Sequence, residues 1–267
     1  MKWHILVSTD SIGMFGDIKN LNKLWTPERF PYVEMISWRG REESIISQLT
    51  AHGYRIAHLH GRMGNDIPAM RLLDQLITRT PSLMRRWGTA YDILIHTSEA
   101  RKATVINAAK RATRIKRIWI ENDESGADGV SRMRHTAQQY LHNGIPTGVV
   151  FDVFHYIRSY CESDLLLRQS WEDMMPLLIQ LKPFALGIHF PIGTRVDDSL
   201  PLDRISDDML KRFAGVCEYT GVERITLEYQ HEPWKYRAGS IPSSAFPVIR
   251  TRIERITNRL IKNNLLV

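Results

Sequence analysis

The stretch G-V-V-F-D-V-F-H, residues 148–155, contains the pattern that decides the fold of this chain. Apolar residues lead directly to a carboxylate, Asp152, and His155 follows three positions later. A short apolar run is typical of a buried strand, where a carboxylate without a partner is costly. Parallel barrels and doubly wound sheets place their active sites at the carboxyl ends of such strands. We therefore interpret Asp152 as a site residue, with a buried aspartate bonded to backbone donors as the alternative.

Three more apolar runs end in polar side chains: R-I-W-I-E at Glu121, A-L-G-I-H-F at His189 and R-I-T-L-E at Glu228. Together with Asp152 they form a set of three carboxylates and one imidazole, which suits a divalent metal ion. This set does not distinguish Mn²⁺, Mg²⁺, Co²⁺ and Zn²⁺. Each residue also has a plainer interpretation. Glu121 could bond backbone amides at a solvated strand end, and His189 could be a hydrogen-bonded core histidine.

Runs of this kind recur along the whole chain and predict its architecture. The eight apolar runs cover residues 3–8, 32–37, 54–59, 91–96, 117–121, 147–152, 184–189 and 224–229. Helical spacing appears at 41–52, 131–143 and 164–181, and again between Ser206 and Gly221. Strands that alternate with helices pair in parallel, and eight repeats in 267 residues favour closure over an open sheet. The prediction is a (β/α)8 TIM barrel, with residues 1–267 as a single domain.

Composition limits the classes of function. The net charge of +7 could favour nucleic acid or phosphorylated ligands, although the basic residues are spread along helices in the manner of solvated faces. The two cysteines imply no disulfide framework, and a reducing cytoplasm is the expected location. No apolar run approaches the length of a membrane span, so no membrane partner is expected. Glycine-rich phosphate loops and the G-x-S-x-G motif are also missing from the sequence.

Further polar residues near strand ends could enlarge the site. His58 and His60 alternate in I-A-H-L-H-G and therefore face the same side of a strand, and His96 ends I-L-I-H. The histidines of either strand could bind a second metal ion, act as a base or orient the substrate. Arg195, six residues after His189, could bind a substrate oxygen or phosphate, or could be an ordinary surface arginine.

These motifs resemble those of the xylose isomerase-like TIM-barrel superfamily, which contains sugar isomerases and epimerases together with endonuclease IV and ultraviolet damage endonucleases. The resemblance to ketose 3-epimerases implies that His155 and Arg195 hold substrate. It also implies a metal held by residues from four consecutive strands, namely Glu121, Asp152, His189 and Glu228.

The function expected from this resemblance is a divalent-metal-dependent isomerase or epimerase of a sugar or sugar phosphate. The ion would stabilise the enediolate that forms on proton removal. Glu121 and Glu228 would remove and return the carbon-bound proton from opposite faces of the carbohydrate. His60 is expected as a reserve base near the substrate, and His96 as part of the pocket wall. Homo-oligomerisation stays open.

The alternative is a DNA repair endonuclease of the endonuclease IV and ultraviolet damage endonuclease type (AP endonuclease family 2). The sequences E-N-D-E and G-I-P-x-x-x-x-F-D-x-x-H are similar to those of ultraviolet damage endonucleases. The resemblance implies extra zinc ligands, which His96 and either His58 or His60 could supply. Two departures count against it: the segment after His189 has aspartates but no further histidine, and Gly187 stands where those nucleases carry lysine. A barrel that has lost catalysis and only binds ligands is a third interpretation.

Overall fold

The computed structural model describes residues 3–8, 21–22, 25–36, 42–60, 91–111, 115–123, 126–157, 164–192, 205–228 and 246–266. Within these ranges the strands form one closed barrel of eight parallel strands in sequence order, with β1 paired to β8. Each predicted apolar run overlaps one strand, and the (β/α)8 barrel is confirmed. The strands are β1 His4–Ser8, β2 Tyr32–Ile36, β3 Arg55–His60, β4 Tyr91–His96, β5 Ile115–Glu121, β6 Thr147–Asp152, β7 Ala185–Pro191 and β8 Val222–Glu228.

Helices follow most of the strands, as alternation requires. They are α1 Glu42–Ala51, α2 Thr97–Ala100, α3 Ala103–Arg111, α4 Gly126–His142, α5 Val153–Ile157, α6 Asp164–Gln180, α7 Asp207–Thr220 and α8 Phe246–Lys262. The helix predicted between Ser206 and Gly221 is confirmed as α7, and these two residues cap it. The Ser206 side chain accepts from the Met209 amide at 3.2 Å, and Gly221 ends the helix at φ 72°. Helix α4 begins earlier than predicted, because Val130 and the buried glycines before it extend the packed face.

The main core lies between the barrel and the surrounding helices. Trp171 and Phe213 from the helices pack edge-on against each other at 5.2 Å between ring centroids, and Phe190 of β7 completes the group. A second, small apolar cluster of Leu94, Trp119 and Val150 fills the barrel interior. In the described part of the chain, no helix combines the length and the apolar character needed to cross a membrane.

The strand register brings the polar ends of neighbouring strands to one level. His96 of β4 is paired with Glu121 of β5, and Asp152 of β6 is paired with His189 of β7. Glu228 of β8 lies beside Pro191, two positions beyond His189. Side chains that alternate along these strands therefore point into the barrel near its carboxyl end, where β/α barrels carry their active sites.

Candidate metal centre

The carboxyl end of the barrel interior holds a compact group of acids and histidines, which we call the metal centre. All of its members except His155 are buried, and the side chain of His155 is 13% exposed. It consists of Glu34, His60, His96, Glu121, Asp152, His155, His189 and Glu228.

Hydrogen bonds between strand ends hold the metal centre in place. Thr97 at the start of α2 donates its hydroxyl to the Glu121 carbonyl oxygen at 2.7 Å. The Asn122 side chain pairs with the backbone of Asp152 in both directions, at 3.0 Å and 2.8 Å. Asn122 thus continues the β5–β6 pairing by one residue, a role that sequence reasoning missed. The acid that bonds a backbone amide in this turn is Asp123, which accepts from Ser98 at 3.0 Å, and not Glu121.

The four residues expected to bind metal do converge, and His189 lies at their middle. Its Nδ1 atom is 2.9 Å from Oε1 of Glu121, 3.4 Å from Oε1 of Glu228 and 3.8 Å from Oδ2 of Asp152. Both glutamates therefore lie within 3.4 Å of one imidazole nitrogen, close enough to share an ion. Four strands that follow one another along the chain supply this set, which lies around one point.

The other carboxylate oxygen of Glu121 faces a second set of ligand atoms. Oε2 lies 3.0 Å from Nε2 of His60 and 3.4 Å from Nε2 of His96. The rings of the two histidines are 5.0 Å apart between centroids. Sequence analysis placed His60 and His96 near the substrate. Here they lie against Glu121, and together the three residues could hold an ion of their own.

Asp152 uses its two carboxylate oxygens differently. Oδ1 accepts the backbone amide of His155 at 2.8 Å and thereby caps the short helix α5. Oδ2 remains directed into the metal centre, 3.8 Å from Nε2 of His155. The three-residue spacing noted in the sequence thus reflects a helix cap as well as a possible ligand pair, and Glu121, Asp152 and His155 form a third group that could hold an ion.

Glu34 is the main member of the site that sequence reasoning missed. It is fully buried in β2, where it accepts from Nδ1 of His60 at 2.8 Å, from Nε2 of His189 at 2.8 Å and from Nε2 of His58. The predicted site residues lie at the ends of apolar runs, whereas Glu34 lies in the middle of Y-V-E-M-I. A glutamate with apolar neighbours on both sides was the available signal. An irregular register between Val33 and Glu34 places it opposite His58.

The acids of the centre are shifted in opposite directions. Burial opposes ionisation of Glu34 and Glu121, but the adjacent histidines, His189 first among them, hold the pKa of both carboxyls well below its usual range. Burial raises the pKa of Asp152 to about 6 and that of Glu228 well above its usual value. Carboxyl groups close together in a dry site cannot all ionise easily, so the group attracts cations.

The pKa values of the histidines are also shifted in opposite directions. Burial opposes the charge on His60, but Glu121 and Glu34 on either side raise its pKa to about 10. His189 also has a pKa well above its usual value despite burial, because carboxylates face both of its ring nitrogens. Burial lowers the pKa of His96 to about 4, which leaves this ring neutral and able to act as a ligand.

The unpaired atoms of the centre fit a divalent cation. Among the described residues, Nε2 of His60, Nδ1 of His189 and Oε2 of Glu121 complete no hydrogen bond, although their neighbours are close. The opposite nitrogen of each ring is bonded to Glu34. Buried polar atoms without partners are rare in folded proteins and call for an explanation. Lone pairs of carboxylates and imidazoles that face one another provide the donor set of a metal site.

A separate group of polar side chains, which we call the lower layer, lies beneath the metal centre and consists of His58, Asp92, Trp119 and Arg224. Arg224 contacts Asp92 at 2.9 Å and His58 at 3.0 Å, and its guanidinium stacks 4.0 Å above the Trp119 ring. His58 and His60 both point into the barrel, but His58 contacts the metal centre through Glu34, whereas His60 contacts both Glu34 and Glu121. Arg195 lies outside the described residues, so its expected contact with substrate stays a prediction.

Gly187 has a structural reason to be glycine. A Cβ atom there would lie 3.1 Å from Cγ of Arg224 and 3.2 Å from Cγ2 of Val150. The space next to Gly187, where the resembling nucleases would place a lysine side chain, is therefore taken by Arg224 from the neighbouring strand.

Comparisons with known proteins concern the fold. No family model matches the sequence, and no curated protein matches it significantly. Among solved structures, a 3-keto-D-glucoside 4-epimerase from E. coli is similar with a TM-score of 0.52 at 12% identity, over 95% of this chain and 100% of that chain. A dihydropteroate synthase from Thermus thermophilus is similar with a TM-score of 0.52 at 10% identity, over 96% and 93%. At such identities the likeness shows the fold, and the chain is a (β/α)8 barrel, as the resemblance to the xylose isomerase-like superfamily implies.

Proposed function

We propose that this chain is a divalent-metal-dependent hydrolase of phosphate esters, with the phosphodiester backbone of nucleic acid as the favoured substrate class. One observation carries the proposal. The two oxygens of Glu121 face two different ligand sets, with His189 on Oε1 and with His60 and His96 on Oε2. A carboxylate placed in this way is suited to bridge two ions.

This observation reverses the order of the two functions that the sequence alone favoured. An isomerase with one ion uses the set around His189 and needs His60 only as a reserve base and His96 only as part of the pocket wall, so it does not require their second set of ligand atoms. Two ions with a shared carboxylate are common in phosphatases and nucleases, where they act on both oxygens of an in-line displacement. The net charge of +7 also favours a polyanionic substrate through long-range attraction.

The residues divide naturally between two ions. One ion would be held by His60, His96 and Glu121. The other would be held by the four residues around Nδ1 of His189, namely Glu121, Asp152, His189 and Glu228. When bound, the ions would supply Lewis-acid activation of a water molecule and would neutralise phosphate charge.

The remaining residues orient the substrate. His155 is the most exposed member of the centre and stands on α5 beside Asp152, so a substrate enters on its side. Its ring can hold a phosphate oxygen or exchange a proton with it. Arg195 is proposed to bind a second phosphate oxygen, because a guanidinium matches phosphate geometry. The predicted cytoplasmic location and the question of homo-oligomerisation are unchanged by this proposal.

The test combines metal content with hydrolysis. Purified protein reconstituted with Zn²⁺ or Mn²⁺ is analysed for ions per chain and assayed on bis(4-nitrophenyl) phosphate and on duplex DNA with an abasic site. His96→Ala should lose about one ion per chain and at least about a hundredfold in hydrolysis, since it removes a direct ligand. The control His135→Ala alters an exposed histidine of α4 and should change neither measurement. Full ion content and full hydrolysis in His96→Ala would contradict the two-ion proposal.

A sugar isomerase or epimerase is the second candidate, and one observation favours it. Glu121 and Glu228 both lie within 3.4 Å of Nδ1 of His189, so two carboxylates flank a single point, as proton removal and return require. This candidate predicts one ion per chain in both wild type and His96→Ala. It also predicts exchange of a carbon-bound hydrogen of a ketose with D₂O, which Glu228→Gln should abolish. Protein that binds no divalent ion at all would favour a non-catalytic barrel.

A further inference from the structure

Glu34 is the point at which three histidines of the barrel interior meet. Its Oε1 accepts from Nδ1 of His60 at 2.8 Å, and its Oε2 accepts from Nε2 of His189 at 2.8 Å. The same Oε2 accepts from His58 and from the Thr226 hydroxyl, the latter at 3.3 Å. The side chain is completely buried. A single carboxylate thus holds one ring from each of the two proposed ion sites.

The lower layer determines which atom is the donor in each of these hydrogen bonds. Arg224 approaches Nδ1 of His58 at 3.0 Å. A guanidinium can only donate, so Nδ1 of His58 accepts and its proton lies on Nε2, which faces Glu34. Glu34 therefore accepts a hydrogen bond from Nε2 of His58 in the lower layer. As an ionised carboxylate it can only accept, so the nitrogens of His60 and His189 that face it must both carry hydrogen.

We propose that Glu34 is a positioning residue that fixes the tautomers of His60 and His189. Because the pKa values of both rings are raised, each carries a second hydrogen on its Glu121 side until a divalent ion displaces it. The hydrogen retained on Nδ1 of His60 and on Nε2 of His189 would then leave the lone pairs of the other two nitrogens facing Glu121. Those two nitrogens are the ones without hydrogen-bond partners among the described residues. The inference rests on the proposed function in one respect only, namely that the centre binds divalent ions.

A direct role of Glu34 as a ligand is the competing explanation, because Glu34, His60, His189 and Glu228 could surround an ion by distance alone. The hydrogen bonds argue against it. Both oxygens of Glu34 already accept from donors, four in all. The unpartnered atoms lie on the Glu121 side of the two rings. A carboxylate behind a ligating histidine orients the ring and raises its basicity, and loss of such a partner typically lowers metal affinity by about 10–100-fold.

The first experiment is a Co²⁺ titration of wild type, Glu34→Gln and Thr257→Val, followed by visible absorption. Glutamine keeps the size of Glu34 but can accept at one oxygen only, so at least one ring loses its fixed tautomer. Glu34→Gln should bind Co²⁺ about 10–100-fold more weakly, with the wild-type number of ions and absorption band at saturation. Thr257→Val removes a buried hydroxyl of α8 whose hydrogen bond in the described part of the chain goes to the Ile253 carbonyl oxygen of the same helix, and should match wild type.

Each outcome decides the inference. A lost ion or a changed absorption band at saturation would make Glu34 a ligand and overturn the positioning role. An unchanged Co²⁺ affinity in Glu34→Gln would overturn it as well, while the proposed function would stand. Wild-type protein that binds no Co²⁺ would instead contradict the proposed function, and the inference would fail with it.

A second measurement uses wild-type protein and therefore does not depend on whether the variant folds. The ¹⁵N and ¹H shifts of histidine side chains in the Zn²⁺-loaded protein report which ring nitrogen carries hydrogen. The expected result is hydrogen on Nδ1 of His60 and on Nε2 of both His189 and His58. Hydrogen on the opposite nitrogen of His60 or His189 would overturn the inference.

Discussion

The metal centre and the lower layer occupy neighbouring levels of one barrel and are both built from buried charged residues, but they differ in how those charges are paired. In the lower layer, Asp92 accepts from Arg224 and from the Trp119 indole, each at 2.9 Å, through one carboxylate oxygen, and its other oxygen is a single unpaired acceptor among the described residues. In the metal centre, the described carboxylates and imidazoles leave three buried atoms without partners that face one another around Glu121. Burial alone therefore does not mark a functional site, whereas unpaired atoms of complementary ligand type do.

The difference follows from the donors available to each level. Arg224 carries a fixed positive charge and donates to two partners at once, so the lower layer holds itself together. The metal centre has acids whose partners are histidines, and these rings can meet only some of the acceptors. Buried polar atoms without partners cost folding stability, and such a cost is typical of active sites. We expect substitutions in the lower layer to act first on stability, and substitutions in the metal centre to act first on ion binding.

The largest expected effect is in the lower layer. Arg224→Met leaves Asp92 buried without its cation and should lower the free energy of unfolding by about 3–5 kcal/mol. Arg212→Met is the control, because the Arg212–Glu172 pair between two helices is exposed and should contribute at most about 1 kcal/mol. Urea unfolding of the metal-free proteins measures both. Equal losses in the two variants would show that the lower layer is no more important to stability than a surface pair.

The next effect concerns the metal centre. A divalent ion at 100 times its dissociation constant should raise the free energy of unfolding by about 2.7 kcal/mol per site. Glu121→Gln should abolish this gain, because Glu121 contributes to both proposed sites. Thermal unfolding with and without Zn²⁺ tests it, with metal-free protein as the reference. A wild-type gain that persists in Glu121→Gln would remove Glu121 from the set of ligands.

A smaller loss of stability is expected from Gly148→Ala, because the backbone of Gly148 packs against Trp119 of the lower layer. A Cβ atom on Gly148 would lie 2.8 Å from the Trp119 ring and 3.0 Å from the Ala185 carbonyl oxygen. Gly148→Ala should therefore cost about 1–3 kcal/mol through overpacking. Gly215→Ala in helix α7, where a Cβ atom meets nothing within 4 Å, should instead stabilise the protein by about 0.5–1 kcal/mol. Chemical denaturation compares the two, and a neutral Gly148→Ala would show that Trp119 is loosely packed.

The smallest expected effect is that of Gly187→Ala, which should change both the stability of the lower layer and ion binding in the metal centre. Gly187→Ala would place its Cβ atom 3.1 Å from Cγ of Arg224 and 3.2 Å from Cγ2 of Val150, so both side chains would have to shift by a few tenths of an ångström. The cost in unfolding free energy should stay at or below about 1 kcal/mol. Arg224 also donates to His58, so a small decrease in Co²⁺ affinity should accompany it. A loss of stability as large as that of Gly148→Ala would mean that Arg224 and Val150 cannot shift.

The sequence predicted the fold because its main signal is local. Eight apolar runs recur along the chain with helical spacing between several of them, and this alternation favours closure of eight parallel strands, which the structure confirms. The caps of α7 were readable for the same reason, since a serine and a glycine bond or bend the chain within a few residues of themselves. Polar residues at strand ends were likewise readable, and four of them, Glu121, Asp152, His189 and Glu228, meet in the structure.

The tertiary structure decided what these residues face. Glu34 was not predicted because it lies in mid-strand, and only the register of β2 against β3 brings it beneath His60 and His189. The two sets of ligand atoms that face the two carboxylate oxygens of Glu121 were not predictable either, because a sequence contains no distances between strands. Local pattern determines which residues point into the barrel, because it depends on neighbours along the chain. The pairing of donors with acceptors depends on strands far apart in sequence, and so it is fixed only when the barrel closes.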